Sequence, residues 1–265
     1  QLPPDPQPPP GADTSADGLA PPPSAPVAVD PVPVRLRAAD GVVVHGLEYA
    51  LEASPPRPIV LLFHQAGSNA AEYGPIAPRL QALGYQALAI DQRSGKRRFG
   101  RDNLTVRDHG KSTGIGSAYR DLEAALAWAQ AQGHDPVIAW GSSYSAALVF
   151  RLAAEHPGQL AAVLAFSPGE YLGATGTVAG WAREAGVPVF ITAAPGKEVD
   201  RARGIATAAG VEPYVPSHGV HGSSTLHPSR NPAGHRQVWA AVEAFLARAV
   251  PPRGGVDARA REPAP

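Results

Sequence analysis

The 265-residue chain contains no cysteine and no methionine. The missing cysteine excludes disulfides, thiol nucleophiles and thiolate-ligated metals together. The missing methionine leads us to expect that Gln1 is a processed end, with any leader already removed. There is no charge bias either. Lys plus Arg and Asp plus Glu both number 23, so nothing in the balance points to nucleic acid. No run of 18 apolar residues occurs, so no membrane span is expected.

Proline, by contrast, is plentiful, and much of it lies at the start. Residues 1–33 hold twelve prolines among Gly, Ala, Asp and Ser. Too few apolar side chains are present to offset the entropy of ordering. We read 1–33 as a disordered, partly polyproline tether, 34–250 as one domain and 251–265 as a flexible tail. A spacer behind a cleaved leader suits a periplasmic or extracellular protein.

Within the domain, strand and helix patterns alternate. Val34-Arg35-Leu36-Arg37 and Val42 to Tyr49 flank Ala39-Asp40-Gly41, a hairpin turn. Pro58 to Phe63, Tyr85 to Ile90, Val137 to Trp140, 161–166 and 187–192 are apolar runs of strand length. A weaker strand is expected at 211–215. Helical spacing appears at Ile76, Leu80 and Leu83, at Tyr119, Leu122 and Leu126, and over 144–155, 178–185, 198–209 and 232–249. Residues 92–115 show no clear period. This order predicts an α/β class: a mostly parallel central sheet flanked by helices, with an antiparallel N-terminal hairpin.

One stretch organises the chain. Gly141-Ser142-Ser143-Tyr144-Ser145 stands between an apolar strand and an apolar-faced helix. It reads as the strand–turn–helix elbow G-x-S-x-G with Ser in the last position. Such a turn brings the residues two before and two after the centre nearly into contact, so both must be small. Gly141 and Ser145 satisfy this, and Ser143 becomes the candidate nucleophile.

A serine hydroxyl needs a base, and the base needs an orienting group. His221 lies in the small-residue loop Gly219-Val220-His221-Gly222-Ser223-Ser224, where an imidazole meets little hindrance; His218 is its rival. His156 ends the helix after Ser143, and His235 falls in the final helix. The acid is sought after the strand ending at Thr192. Glu198 is the first candidate, with Asp200 two residues on and Glu170 after the preceding strand. The oxyanion of an acyl-transfer intermediate needs two N–H donors. Tyr144 supplies one through its backbone. The second is expected from His64-Gln65-Ala66-Gly67-Ser68-Asn69, with Ala66 as donor, Gln65 beside it as a substrate contact and His64 as a packing residue. Arg93, Lys96, Arg97, Arg98, Arg101, Arg107 and Lys111 form a basic stretch, read as a solvated surface loop or an attractor of anions. His218, His221 and His227 could be imagined as zinc ligands, but there is no H-E-x-x-H helix and no Cys, and no metal and no cofactor is expected.

Phe63-His64-Gln65-Ala66-Gly67-Ser68, Ile90-Asp91-Gln92-Arg93-Ser94-Gly95, Gly141-Ser142-Ser143-Tyr144-Ser145 and His221-Gly222 occur in the order found in the α/β-hydrolase superfamily. Over residues 34–249 the chain resembles its dienelactone-hydrolase-like branch. The best-known members of that branch use a Cys nucleophile, which this chain lacks. Ser145 also replaces the usual Gly, and no Asp stands at the usual acid position. The resemblance implies an α/β-hydrolase fold and hydrolysis of a small-molecule ester through an acyl-enzyme. The alternatives are an amidase or peptidase on the same residues, or a non-catalytic binding protein on this scaffold.

Overall fold

A computed structural model describes residues 30–52 and 58–252; most of the expected tether and most of the expected tail lie outside them. Seven strands among these residues form one sheet in the order β1-β2-β4-β3-β5-β6-β7. They are β1 Val32–Arg37, β2 Val43–Tyr49, β3 Ile59–Phe63, β4 Gln86–Ile90, β5 Val137–Ser142, β6 Ala162–Phe166 and β7 Val189–Thr192. β2 runs against both β1 and β4, and β4 through β7 pair in parallel. The hairpin is therefore real. It begins at Val32, two residues before the expected start.

The described residues hold seven α-helices, of which α6 and α7 follow the last strand: α1 Ala77–Ala82, α2 Leu104–His109, α3 Tyr119–Ala131, α4 Tyr144–Glu155, α5 Thr177–Glu184, α6 Lys197–Ala208 and α7 His235–Ala249. None of the described helices is long and apolar enough to cross a membrane. Each face of the sheet carries its own core. Ile59, Leu61, Phe63, Ala139 and Val163 pack with residues of α3, α4, α5 and α6, whereas Val60, Leu62, Ile138, Trp140 and Leu164 pack with α1 and α7. The central strands are apolar at successive positions because both faces are covered.

Three expectations need correction. Residues 211–215 are not a strand: Tyr214 bridges Thr192 and the pairing stops there. Pro213 and Pro216 flank it, and neither has an N–H to give a ladder. The stretch without a period contains α2. It is too short to display one, but Asn103 caps it by accepting from the Val106 N–H, and Gly110 closes it in the left-handed region. The last helix starts at His235, not Pro232. Asn231 Oδ1 holds the Gly234 N–H, and a Cβ at Gly234 would lie 2.0 Å from the His218 carbonyl oxygen.

Candidate active site

The elbow forms where β5 meets α4. Ser143 has φ 60° and ψ −121°, a conformation that few non-glycine residues adopt. Its N–H donates to the Phe166 carbonyl at 2.8 Å. A Cβ at Gly141 would lie 2.3 Å from the Ser145 carbonyl oxygen, so Gly is obligatory there. At the other tight position a hydroxyl is accommodated. Ser145 Oγ donates to the His64 carbonyl at 2.7 Å and accepts from Gln92 Nε2 at 2.9 Å. Gln92 also donates to the Tyr144 hydroxyl at 2.7 Å, which in turn bonds Ser94. The Ser145 departure thus belongs to a buried polar network beneath the elbow.

Three elements bring the chemistry together. Ser143 Oγ lies 2.8 Å from His221 Nε2, and His221 Nδ1 lies 2.8 Å from Glu198 Oε1. Burial pushes the Glu198 carboxyl up, but hydrogen bonds from His221 and Ser167 outweigh it and hold the pKa below the usual carboxylate value. An ionised carboxylate accepts and cannot donate, so Nδ1 carries the proton. Nε2 is then free to accept the Ser143 proton.

The loop bearing His221 is held at several points. The Gly222 N–H donates to Ser167 Oγ at 2.9 Å, and the Ser223 N–H donates to Ser142 Oγ at 2.9 Å. Trp140 Nε1 donates to Ser223 Oγ at 2.9 Å. A Cβ at Gly222 would meet Ser142 Oγ at 2.4 Å, and its φ of 66° is itself unfavourable for other residues.

The rival residues go elsewhere. Glu170 accepts from the Val178 and Ala179 N–H groups at 2.8 and 3.0 Å, and so caps α5, whose own N-cap Gly176 has no side chain. Asp200 is exposed and faces Arg203 at 3.9 Å. His218 is exposed. His227 donates from Nε2 to the Glu72 carbonyl at 2.7 Å. His156 faces Glu123 at 3.3 Å, and His235 opens α7.

The loop after β3 is clamped from both sides. The Gln92 N–H donates to His64 Nε2 at 2.9 Å, so His64 Nδ1 is the donor to the Gln65 carbonyl at 2.7 Å. Burial lowers the His64 pKa, consistent with this neutral imidazole. The Gln65 N–H donates to the buried carboxylate of Glu72 at 3.1 Å. In a trans peptide the N–H points opposite the carbonyl. With the Gln65 carbonyl fixed on His64, the Ala66 N–H faces away from it and has no acceptor among the described residues. Gln65 Nε2 is buried beside Gly222 and has no partner among the described residues. Tyr144 is the first residue of α4, where a backbone N–H has no intrahelical acceptor.

Four of the seven cations in the basic stretch are ion-paired. Arg93 is buried and bonds both Asp121 and Asp40. Arg101 pairs with Asp91, Arg97 with Asp102 and Arg107 with Asp108. For Arg93 neither expectation, solvated loop nor anion attractor, survives.

A protein-family model described as serine aminopeptidase, S33, matches residues 54–227. The chain belongs to the serine aminopeptidase S33 family. Membership makes it a hydrolase, and the seven-stranded sheet is the α/β-hydrolase fold. Solved structures agree on the fold of this S33 family member. The Pyrococcus furiosus esterase Pf2001 superposes with a TM-score of 0.64 at 19% identity, covering 83% of this chain and 92% of that one. A thermostable carboxyl esterase from Bacillus coagulans gives 0.64 at 12%, covering 83% and 99%. Dienelactone hydrolase from Anabaena variabilis gives 0.62 at 16%, covering 85% and 99%. No curated protein matches the chain at a significant level.

Ser167 and Glu72 were not singled out from sequence. Ser167 lies in the same Ser167-Pro168-Gly169-Glu170-Tyr171 turn that drew attention to Glu170. Glu72 carries no local signal, because an acidic residue in a short helical turn reads as exposed.

Proposed function

We propose that this hydrolase cleaves carboxylic esters of small molecules through Ser143, His221 and Glu198. The observation that carries the reading is the continuous pair of 2.8 Å contacts from hydroxyl to imidazole to carboxylate. A binding protein on the same scaffold has no need of that pairing.

In this mechanism His221 Nε2 takes the Ser143 proton as Oγ attacks the ester carbonyl. Glu198 holds the Nδ1–H tautomer and stabilises the imidazolium without taking the proton. The Ala66 and Tyr144 N–H groups receive the developing oxyanion. The Gln65 N–H is committed to Glu72, which favours Ala66 as the second donor. His221 returns the proton to the leaving alkoxide. It then deprotonates water, which attacks the acyl-enzyme and frees the acid and Ser143.

The family description names aminopeptidases, so peptide cleavage is the second reading. An aminopeptidase must recognise a free, positively charged N-terminus. The carboxylates of Glu198 and Glu170 are engaged by His221 and Ser167 and by the start of α5, and Glu72, with one oxygen on the Gln65 N–H, is fully buried. This favours the ester. The test uses p-nitrophenyl acetate against an aminoacyl p-nitroanilide, with Ser143→Ala as control and a fluorophosphonate probe as label. Ester turnover and labelling, both abolished in Ser143→Ala, are expected. Faster turnover of the anilide would reverse the choice, and labelling that survives the substitution would displace Ser143.

A further inference from the structure

Glu198 meets His221 with one oxygen, which leaves the other to be held. Glutamate has one more rotatable bond than aspartate, so its carboxylate loses more freedom when fixed at one distance from the imidazole. Ser167, at the end of β6, lies on that second oxygen. Its Oγ donates to Glu198 Oε2 at 2.7 Å. The hydroxyl has one proton, so its remaining capacity is as an acceptor, and it receives the Gly222 N–H at 2.9 Å. Gly222 directly follows His221. One hydroxyl therefore touches both the acid and the loop that carries the base.

The backbone of Ser167 is fixed just as closely. Its N–H donates to the Thr192 carbonyl at 2.7 Å, and its own carbonyl accepts from the Tyr171 hydroxyl at 3.1 Å. Its φ is 55°, a left-handed value rarely held by a non-glycine residue. Strain of this kind persists where surrounding contacts over-determine it.

We infer that Ser167 is a positioning residue of the active site, its hydroxyl bridging Glu198 and the Gly222 amide so that acid and base keep one geometry. This rests on the proposed ester-hydrolase reading. It explains how the longer glutamate serves where an aspartate is usual. The second carboxylate oxygen is tied to the neighbouring strand end, and rotation about the extra bond is stopped. Ser167 acts through Glu198 and His221 and needs no contact with substrate.

The test compares Ser167→Ala and Ser167→Gly in the full chain. Both remove the hydroxyl, and Gly also relieves the positive φ. Each is expected to lower kcat for p-nitrophenyl acetate by about 10–100-fold with KM little changed, the scale of a misplaced catalytic group. In a Glu198→Ala background the same substitutions are expected to add less than about threefold, because the hydroxyl acts through the carboxylate that is gone. Wild-type activity in Ser167→Ala, full activity in Ser167→Gly, or an undiminished loss in the Glu198→Ala background would each overturn the bridge. NMR titration of the Glu198 carboxyl gives a readout independent of turnover. Its pKa rises in Ser167→Ala if the bridge exists and is unchanged if it does not. A wild-type protein that neither turns over the ester nor takes the fluorophosphonate defeats the ester-hydrolase reading, while the titration still decides the bridge.

Discussion

At the scale of single residues, the acid was the position where the sequence left the widest choice. Glu198, Asp200 and Glu170 all follow strands near the elbow, and chain order does not separate them. The structure separates them by partner: His221 for Glu198, the start of α5 for Glu170, solvent and Arg203 for Asp200. Glu198→Gln is expected to lower kcat by roughly 10²–10⁴-fold with folding intact, since the amide no longer holds the required tautomer. Asp200→Asn is expected to stay within about twofold, as exposed substitutions do. Glu170→Gln is expected to lower Tm, with kcat falling less than about tenfold, because it weakens a helix cap. Steady-state kinetics and thermal melts on the three proteins check this, and a dead Glu170→Gln with native Tm would overturn the assignment. Depression of the Glu198 pKa has a further consequence. Its contribution to stability is present at neutral pH and is lost as pH falls through the folded value. The pairing of Ser143 with His221 was legible because the neighbours of both had to be small. Ser167 was not, because a hydroxyl after a strand is common and its meaning lies in two partners distant in sequence.

At the scale of elements, the strands and long helices were legible from apolar runs and helical spacing, and the pieces that were not are short or depend on distant partners. α2 is such a case, and so is the missing strand after α6, where prolines leave the single Tyr214 bridge. The basic stretch shows the same limit. From sequence, Arg93 looks like one of seven exposed cations. In the fold it ties three elements together, donating to Asp40 in the β1–β2 turn and to Asp121 in α3 from the loop after β4. The Arg93 guanidinium holds the Asp40 carboxyl well below the usual carboxylate range, whereas burial pushes the Asp121 carboxyl up despite Arg93. Asp121 is fully buried, so its stability depends on the arginine. Removing one partner of a buried pair leaves an uncompensated charge, which costs about 3–5 kcal/mol. Arg93→Ala is expected to lose that much in urea unfolding. Arg97→Ala, whose partner Asp102 is exposed, is expected to lose less than about 1 kcal/mol. Equal losses in the two variants would show that Arg93 is no more than a surface cation.

At the scale of the whole molecule, the sheet is a partition as well as a platform. The candidate site sits at the C-terminal ends of β5, β6 and β7, while stability comes from two cores that do not share side chains. Successive residues of β3 alternate between them. Ile59 belongs to the core under α3 to α6, and the adjacent Val60 belongs to the core under α1 and α7. Both are fully buried. Neighbours in sequence are normally the first suspects for energetic coupling. Here the pleat sends their side chains to opposite faces, with the backbone between them. Ile59→Val is expected to cost about 0.5–1.5 kcal/mol. Val60→Ala removes two methyl groups and is expected to cost about 1.5–3 kcal/mol, from lost transfer energy plus a small cavity. The double variant should lose the sum to within about 0.5 kcal/mol, the additivity of independent sites. A combined loss of about 2–4.5 kcal/mol stays below the roughly 5–15 kcal/mol by which domains are stable, so all three proteins remain folded. Urea unfolding with an unchanged m-value checks each term. A coupling above about 1 kcal/mol would mean that β3 shifts as a unit when either face is hollowed. The two cores would then be one, and the site at the strand ends would feel substitutions on both faces.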